Sequence, residues 1–305
     1  MNVLIAVHHR VDAWTITGAH VDDLRTRFPH VTFLHSTTRG SDIELAGEAD
    51  AAFALALSQD ALARATTLRW LHCSGHAVGH FPLADLAARN IVVTNSRGVQ
   101  SVPIAEHVMA CLLALARRLP QTLRDQQERM WRPNVLVGEA SPWLLAGRTM
   151  GIVGVGTLGE AIAVRAKAFD MRVIGLRRNP ARGLPKGFDD VVGPDDRERL
   201  LAESDVIVIA APLTPETDRL IDAAAIATMK PGAIVINVAR GQLIDEAALA
   251  DALEAGRLGG AVLDVFPTEP LPSSTGIFTR NHSHITSQGL AVCESGWIAQ
   301  EHFGR

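Results

Sequence analysis

Short apolar runs alternate with helical segments along most of the chain, and this alternation restricts the possible folds more than any other feature. The runs with strand character are VLIAV (3–7), VTFL (31–34), IVVTN (91–95), TMGIVGV (149–155), MRVIGL (171–176), DVIVIA (205–210), AIVINV (233–238) and GAVLDV (260–265). Their consecutive apolar residues are typical of parallel strands that are covered on both faces. The alternation therefore predicts an α/β protein with doubly wound parallel sheets.

A long helical stretch divides these strands into two sets. The stretch IAEHVMACLLALARRLPQTLRDQQERMW (104–131) has the amphipathic spacing of one or two helices, and Pro120 predicts the break between them. We expect this stretch to connect two lobes. The segment RPNVLVGEASPWLLAG (132–147) is predicted to be a loop, and residues 288–305 are predicted to form a closing helical piece.

Charge and composition argue against several classes of protein. The chain has 29 basic and 33 acidic residues, with no basic run longer than a pair, which indicates neither a nucleic-acid partner nor an anionic membrane. It lacks a membrane-spanning apolar stretch and a secretory signature, so we expect a cytoplasmic protein with a small-molecule or protein partner. Because Cys73, Cys111 and Cys293 are odd in number and widely spaced, they predict neither a disulfide framework nor structural zinc.

A glycine-rich turn follows the apolar run at 149–155. Gly154, Gly156 and Gly159 stand in GxGxxG order between a strand-like and a helix-like segment, with a second strand at the distance that a dinucleotide site requires. Gly154 would allow the turn, Gly156 the approach of a pyrophosphate, and Gly159 close helix packing. The site would also include Thr157 and Leu158. The alternative interpretation is a tight turn with no ligand.

Two arginines end the next strand-like run, in the sequence VIGLRRNP. Arg177 stands where an NAD site normally offers an acidic residue to the ribose 2'-hydroxyl, and Arg178 follows it. A guanidinium matches a phosphate, and the absence of a carboxylate removes repulsion of a 2'-phosphate. The pair predicts a preference for NADP(H), with NAD(H) also possible. The alternative is a solvated strand end.

Two longer segments resemble the D-isomer-specific 2-hydroxyacid dehydrogenase family. They are NSRGVQSVPIAEHVMACLLALARR (95–118) and the segment from PLTPETDRLID to VLDVFPTEPLP (212–272), and the match covers most of residues 68–290. The motifs occur in the family's order, which makes the resemblance specific. Within that family, the chain resembles the glyoxylate and hydroxypyruvate reductases.

The resemblance implies two Rossmann-like lobes with a cleft between them. Residues 1–97 and 285–305 would form a discontinuous, flavodoxin-like substrate lobe, and residues 98–284 would form the NAD(P)-binding lobe. Family members are usually homodimers through the cofactor lobe, so we expect a homodimer.

The resemblance also assigns the chemistry. Arg240 would hold the substrate carboxylate, Glu269 would orient a histidine, and His284 would be that histidine and the proton donor. Reduction of a 2-oxo acid needs a cation for the carboxylate and a proton for the developing alkoxide, which a histidine can supply near neutral pH. A neighbouring carboxylate would raise the pKa of that histidine. The remaining cofactor positions implied by the resemblance are Pro212, Thr217, Val238, Ala239 and Asp264, the last at the nicotinamide carboxamide.

The C-terminal part departs from the family pattern. Ser283 stands before His284 where the family commonly has proline, and the interval after Glu269 is a few residues short. His282 is two positions away, although the sequence HITS fits His284 better. We also expect family members to continue further beyond this histidine than this chain does.

The substrate-binding turn implied by the resemblance reads G-H-A-V-G and contains Gly75, His76, Ala77 and Val78. The family pattern is close to S-A-G-V-D, so His76 and Ala77 would change the pocket. A metal site formed by His72, His76 and His80 on one helix face is an alternative, but Gly75 and Gly79 argue against a helix, and we predict no metal. His8 and His9 end the first strand and could line the same cleft or simply be solvated.

We therefore expect an NADPH-dependent reductase of small 2-oxo acids that yields D-2-hydroxy acids. One alternative is an NAD-dependent dehydrogenase that works in the oxidative direction. The other is a non-catalytic, nucleotide-sensing binding protein, like the C-terminal-binding corepressors that share this fold.

Overall fold

The computed structural model describes residues 1–8, 15–38, 40–75, 77–132 and 141–269, together with the backbone of 283–285. Within these ranges the chain forms two compact units, one up to Gln100 and the other from Ser101 onward. The predicted lobe boundaries, 1–97 with 285–305 and 98–284, remain a prediction because the segment after 285 lies outside the described residues.

The first unit contains a five-stranded parallel sheet in the order β2-β1-β3-β4-β5. Its elements are β1 (Asn2–Ala6), α1 (Gly18–Arg27), β2 (Thr32–His35), α2 (Ser41–Leu45), β3 (Ala51–Ala54), α3 (Gln59–Arg64), β4 (Trp70–Cys73), α4 (Leu83–Ala88) and β5 (Val92–Asn95). Leu4, Leu71 and Leu86 are fully buried in its core. Ser58 begins α3 by accepting a hydrogen bond from the backbone N–H of Ala61 at 3.1 Å.

The second unit contains a seven-stranded parallel sheet in the order β12-β11-β10-β9-β6-β7-β8. Its elements are α5 (Ser101–Ala116), α6 (Leu119–Gln127), β6 (Thr149–Val153), α7 (Thr157–Lys167), β7 (Arg172–Leu176), β8 (Asp190–Val192), α8 (Arg197–Glu203), β9 (Val206–Ile209), α9 (Ala223–Thr228), β10 (Ile234–Asn237), α10 (Glu246–Glu254), β11 (Gly260–Leu263) and β12 (Ser283–Ile285). Strand order reverses between β6 and β9, and ligands of open α/β sheets bind outside the carboxyl ends of the strands at such a switch point.

The α/β class and the parallel sheets are confirmed, and the predicted strands agree with the observed ones to within a residue or two. Four of the twelve strands, β3, β4, β8 and β12, were absent from the predicted runs. The alanine-rich AAFA of β3 lacks β-branched residues, and β8 has only three residues. Their strand conformation depends on neighbours in the sheet rather than on local preference.

The predicted helix break at Pro120 is wrong by a few residues. Helix α5 ends at Ala116, and α6 begins at Leu119 after Arg118, which adopts a left-handed conformation with φ of 57°. Pro120 lies in the first turn of α6, where a missing N–H costs no helical hydrogen bond. Half of the predicted loop at 132–147, namely residues 133–140, and all of the closing piece at 288–305 lie outside the described residues.

Candidate functional site

The glycine turn begins at the switch point of the seven-stranded sheet. Gly154 has φ of +110°, and a Cβ atom at this residue would lie 2.6 Å from the carbonyl oxygen of Ala210, which follows β9. Its backbone N–H donates to the carbonyl of Leu176 at 2.9 Å. Only glycine can combine this backbone conformation with this close approach.

The other two glycines of the motif connect this turn to α7. Gly156 precedes the helix in an extended conformation, and Thr157 and Leu158 form its first two residues. A Cβ atom at Gly159 would lie 2.2 Å from the carbonyl oxygen of Gly154, so a side chain there would push the helix away from the strand. A helix N-terminus held this close to a glycine turn fits the pyrophosphate of a dinucleotide.

Arg177 and Arg178 have different surroundings. The guanidinium of Arg177 is directed back onto its own loop, where Nη2 donates to the carbonyl of Pro180 at 3.0 Å and also to that of Gly183. The side chain of Asn179 accepts from the backbone N–H of Ala181 at 3.1 Å, which tightens the same turn. Arg177 therefore closes the loop after β7, while Arg178 is exposed.

The loop after β9 lies near Arg178. The hydroxyl of Thr217 donates to the carbonyl of Pro212 at 2.8 Å and accepts from the backbone N–H of Thr214 at 2.7 Å. Thr217 thus holds the loop in shape. A hydrogen bond from Thr214, its own backbone N–H and the positive charge of Arg178 lower the pKa of Glu216.

Arg240 follows β10 on a loop that a buried asparagine holds. Asn237 is 1% exposed; its side-chain nitrogen donates to the carbonyl of Arg240 at 2.9 Å and its side-chain oxygen accepts from the N–H of Ala239 at 3.1 Å. Val238 is buried, and Ala239 is half-buried. The Arg240 side chain itself is exposed, with Nη1 donating to the carbonyl of Ala239 at 2.6 Å. The backbone at Arg240 is therefore held in place, and the guanidinium of Arg240 is exposed.

The loop of Arg240 packs directly against the loop after β11. A Cβ atom at Gly241 would lie 2.1 Å from the carbonyl carbon of Phe266 and 2.2 Å from the nitrogen of Pro267. In the same loop, the carboxylate of Glu269 accepts from the N–H of Phe266 at 2.9 Å. Gly241 thus brings together the segments that carry Arg240 and Glu269.

His284 lies in β12, where its backbone is paired with Val262 of β11. Its side chain lies outside the described part of the structure, and so does His282. The proton-donor assignment stays a prediction.

Asp264 comes directly after β11 and is 7% exposed. Its carboxylate oxygen lies 4.0 Å from Nε2 of His107 on α5, and both side chains are about one-tenth exposed or less. The thiol of Cys111, one turn further along α5, lies 3.6 Å from the same nitrogen. Burial raises the pKa of the Cys111 thiol to about 11, and the negative charge of Asp264 adds to this shift.

The predicted substrate turn belongs to the first unit and follows β4. The carbonyl of Gly75 accepts from the N–H of Ser96 at 3.3 Å, and the carbonyl of Ala77 accepts from the thiol of Cys73 at 3.6 Å. Ala77 is exposed, and Val78 packs on the core of that unit. His76 lies outside the described residues.

The histidines near this turn are not arranged on a helix. His72 lies in β4 and contacts Thr94 at 2.8 Å and Ser96 at 3.1 Å, whereas His80 contacts the carbonyl of Leu55 at 2.9 Å. His8, at the end of β1, contacts the hydroxyl of Ser36 at 2.9 Å, and His9 lies outside the described residues. Within the described ranges, no three side chains of metal-binding type come together.

Three residues at this site were missed by the sequence analysis: Asn237, Gly241 and His107. A polar Asn at the end of an otherwise apolar strand is a recognisable signal, because such side chains often bond to their own following backbone. Gly241 carries a weaker signal, since a glycine after Arg240 could serve only the turn. His107 carries none, because its nearest partner, Asp264, is distant in sequence.

Comparison with known proteins gives a consistent result. The family model described as "D-isomer specific 2-hydroxyacid dehydrogenase, NAD binding domain" matches residues 109–287. The D-3-phosphoglycerate dehydrogenase of Mycobacterium bovis is 37% identical over 232 residues, which cover 74% of this chain and 42% of that protein. The enzyme of the same name from Archaeoglobus fulgidus is 35% identical over 75% of this chain and 42% of its own length. The chain thus matches less than half the length of these relatives.

A solved structure is similar over almost its whole length. It is a D-isomer specific 2-hydroxyacid dehydrogenase family protein from Aeromonas salmonicida, with 33% sequence identity, a TM-score of 0.81, and coverage of 99% of this chain and 93% of that one. Separately, no helix within the described ranges is long and apolar enough to cross a membrane.

Proposed function

The chain belongs to the D-isomer specific 2-hydroxyacid dehydrogenase family, and from this premise we propose that it is an NADPH-preferring reductase of small 2-oxo acids of the glyoxylate and hydroxypyruvate type. One observation carries the proposal: the loops of Arg240 and Glu269 are packed against each other by Gly241 at the carboxyl edge of a parallel sheet. Ligands of open α/β sheets bind at that edge.

Arg240 binds the carboxylate of the substrate. Its guanidinium is exposed beyond a backbone that the buried Asn237 holds. A planar guanidinium binds a carboxylate through two parallel hydrogen bonds, which orients the adjacent carbonyl group as well as attracting its charge. An exposed side chain on a fixed backbone supports this role, since it can turn from the carbonyl of Ala239 toward an arriving anion.

His284 donates the proton that the reduced carbonyl oxygen requires, and Glu269 orients and stabilises the imidazolium. The Glu269 carboxylate is tied to its own loop through the N–H of Phe266, which supports a positioning role. When bound, the dihydronicotinamide supplies the hydride for C2 of the substrate. Asp264 then accepts a hydrogen bond from the carboxamide of that ring.

The loop after β7 confers the preference for NADPH. Arg177 closes the loop through the carbonyls of Pro180 and Gly183, and the exposed Arg178 binds the 2'-phosphate. The absence of an acidic residue at either position supports this selection, because a carboxylate there would repel a phosphate. Glu216 is close enough to Arg178 for their charges to interact, so it limits this affinity.

The names of the curated relatives favour a second candidate, oxidation of D-3-phosphoglycerate or a similar phosphorylated 2-hydroxy acid. A single panel separates the candidates. Purified protein is assayed with glyoxylate, hydroxypyruvate, pyruvate and phenylpyruvate against NADPH and NADH, and with D-3-phosphoglycerate against NADP+ and NAD+. We expect the highest kcat/KM for NADPH with glyoxylate or hydroxypyruvate. Turnover of D-3-phosphoglycerate alone would favour the second candidate, and cofactor binding without any turnover would exclude both.

The second unit forms a homodimer. Helix α6 has no buried residue among those described, and it exposes Leu119 and Leu123 on one side, followed by Met130 and Trp131. Apolar side chains spaced in this way on one helix favour a protein partner. Light scattering should give a molar mass twice that of the chain. Leu123→Glu should lower the measured mass toward that of a single chain.

A further inference from the structure

The pair of His107 and Cys111 beside the buried Asp264 is the strongest feature that the proposed function leaves unused. Nε2 of His107 lies 4.0 Å from a carboxylate oxygen of Asp264 and 3.6 Å from the thiol of Cys111. Two of them come from α5, which packs against β11, and the third is the residue that follows β11. Buried ionisable groups in this arrangement need a reason, because burial disfavours a charge that has no partner.

The burial of Asp264 makes its partner important. A carboxylate that is about nine-tenths buried loses most of its hydration, and a nearby hydrogen-bond donor or positive charge offsets that cost. His107 is the described imidazole that faces it, at 4.0 Å, which is longer than a direct hydrogen bond. A side-chain rotation or one intervening water would bring the two into contact, as often happens when an apo site binds its ligand.

The thiol of Cys111 contacts the same nitrogen but supplies no charge. Because burial raises the pKa of this thiol to about 11, it stays protonated at neutral pH. A neutral thiol can donate a hydrogen bond to Nε2, and it adds no negative charge that would repel the Asp264 carboxylate.

We infer that His107 is a positioning residue that orients the Asp264 carboxylate toward the carboxamide of the bound nicotinamide. This inference rests on the proposed function, because it requires a nicotinamide ring at the carboxyl end of β11. Helix α5 is itself held in place, since Glu106 forms an ion pair with Arg165 of α7 at 3.0 Å. His107 is thus presented from a fixed helix, and its position determines which way the carboxylate is directed.

A cofactor analogue separates positioning from general support of the fold. The 3-acetylpyridine analogue of NADP+ keeps the carbonyl group of the carboxamide. It lacks the amide N–H from which a carboxylate would accept a hydrogen bond. Replacing His107 should therefore weaken NADP+ more than this analogue. A merely structural defect would weaken both equally.

The experiment measures dissociation constants by isothermal titration calorimetry of the full chain, so turnover is not required. We expect His107→Leu to raise the Kd of NADP+ about five-fold, the scale of one weakened hydrogen bond to a charged group, with little change for the analogue. His107→Gln, which keeps a donor, should restore most of the affinity. Ala110→Gln, at an exposed position of the same helix, is the matched control and should leave the ratio of the two constants unchanged.

Two outcomes overturn the inference in different ways. Equal loss for NADP+ and its analogue in His107→Leu, or no loss for either, would exclude positioning by His107 while leaving the proposed function intact. Failure of the unchanged chain to bind NADP+ or NAD+ would overturn the proposed function and this inference with it. If His107→Leu does not fold, the same comparison in His107→Gln and His107→Asn decides, since the shorter Asn should lose NADP+ affinity selectively.

Discussion

The carboxyl edge of the seven-stranded sheet has two halves that are built differently. The half after β6 and β7, here called the ribose half, contains the glycine turn and the loop of Arg177 and Arg178, of which Arg178 is exposed. The half after β10 and β11, here called the reaction half, contains Arg240, Asp264 and Glu269. There the buried Asn237 accepts from the N–H of Ala239 and donates to the carbonyl of Arg240, and Gly241 allows two backbones to touch.

This difference agrees with the role that we propose for each half. Recognition of a phosphate needs a positive charge within reach, and a flexible arginine provides it at little cost in precision. Transfer of a hydride and a proton needs groups that are held in place, because small displacements greatly reduce the rate. Changes in the reaction half should therefore affect turnover and stability, whereas changes in the ribose half should affect the choice of cofactor.

The largest expected effect is on Arg240. Arg240→Gln should lower kcat/KM for the 2-oxo acid roughly a thousand-fold, because it removes the charge that holds the carboxylate. Lys230→Gln is the matched control, since Lys230 lies before β10 and Arg240 after it, and it should leave kcat/KM within about two-fold. Steady-state kinetics measure both. Similar losses in the two variants would mean that Arg240 has no special role.

Gly241 tests whether the two loops of the reaction half must touch. Gly241→Ala should lower the free energy of unfolding by about 3 kcal/mol, because its Cβ atom would lie 2.1 Å from backbone that cannot easily move. Gly193→Ala, after β8 and beside the ribose half, is the control, since its Cβ atom would make an ordinary contact at 3.4 Å with Pro180. Urea unfolding measures both, and equal destabilisation would remove the contrast between the halves.

The ribose half is tested by comparing its two arginines. Arg178→Ser should weaken NADPH about ten- to a hundred-fold, as expected for loss of a charged hydrogen bond, and leave NADH unchanged. Arg177→Ser should weaken both cofactors to a similar, smaller degree, because it opens the loop that Pro180 and Gly183 close. Quenching of protein fluorescence gives the four constants. If Arg177→Ser instead proves selective for NADPH, Arg177 is the phosphate ligand.

The smallest effect concerns Asp189, which lies just before β8 at the opposite, amino edge of the same sheet and joins α7 to β7. Its carboxylate accepts from the N–H of Val173 at 2.7 Å and from Lys167 at 2.9 Å. Burial opposes the charge, but these bonds outweigh it and lower the pKa of Asp189. A pKa lowered by folding adds stability above the unfolded value of roughly 4, and that stability is lost as the pH falls through the folded value.

Asp189→Asn should therefore cost about 1 kcal/mol of unfolding free energy at pH 7, as is usual for a partly exposed pair. The difference from the unchanged chain should shrink below about pH 4. Denaturation at several pH values measures it, and a difference that is constant with pH would show that the carboxylate charge contributes nothing.

The sequence alone was informative where the backbone imposes a residue type. The strand alternation predicted the sheets, and the spacing of Gly154, Gly156 and Gly159 predicted the turn, because positive φ and close approach require glycine. The resemblance supplied Arg240 and Glu269, whose loops the structure brings together through Gly241. No local pattern could have predicted that contact, since it joins residues more than twenty positions apart.

Tertiary contacts explain what the sequence did not indicate. An Arg-Arg pair does not reveal which guanidinium bonds to its own loop; that depends on where the carbonyls of Pro180 and Gly183 lie. The partnership of His107 with Asp264 depends in the same way on how α5 packs against β11. The break between α5 and α6 falls at Arg118 and not at Pro120, because proline is compatible with a first helical turn.

The central claim is that the reaction half supports hydride transfer to C2 of a 2-oxo acid. The most direct measurement is mass spectrometry of the product formed from glyoxylate or hydroxypyruvate with NADPH that carries deuterium on one or the other face of C4. We predict a product with one deuterium at C2 from one of the two labelled cofactors and none from the other. Product without deuterium from both, or no product from either acid, would contradict the claim.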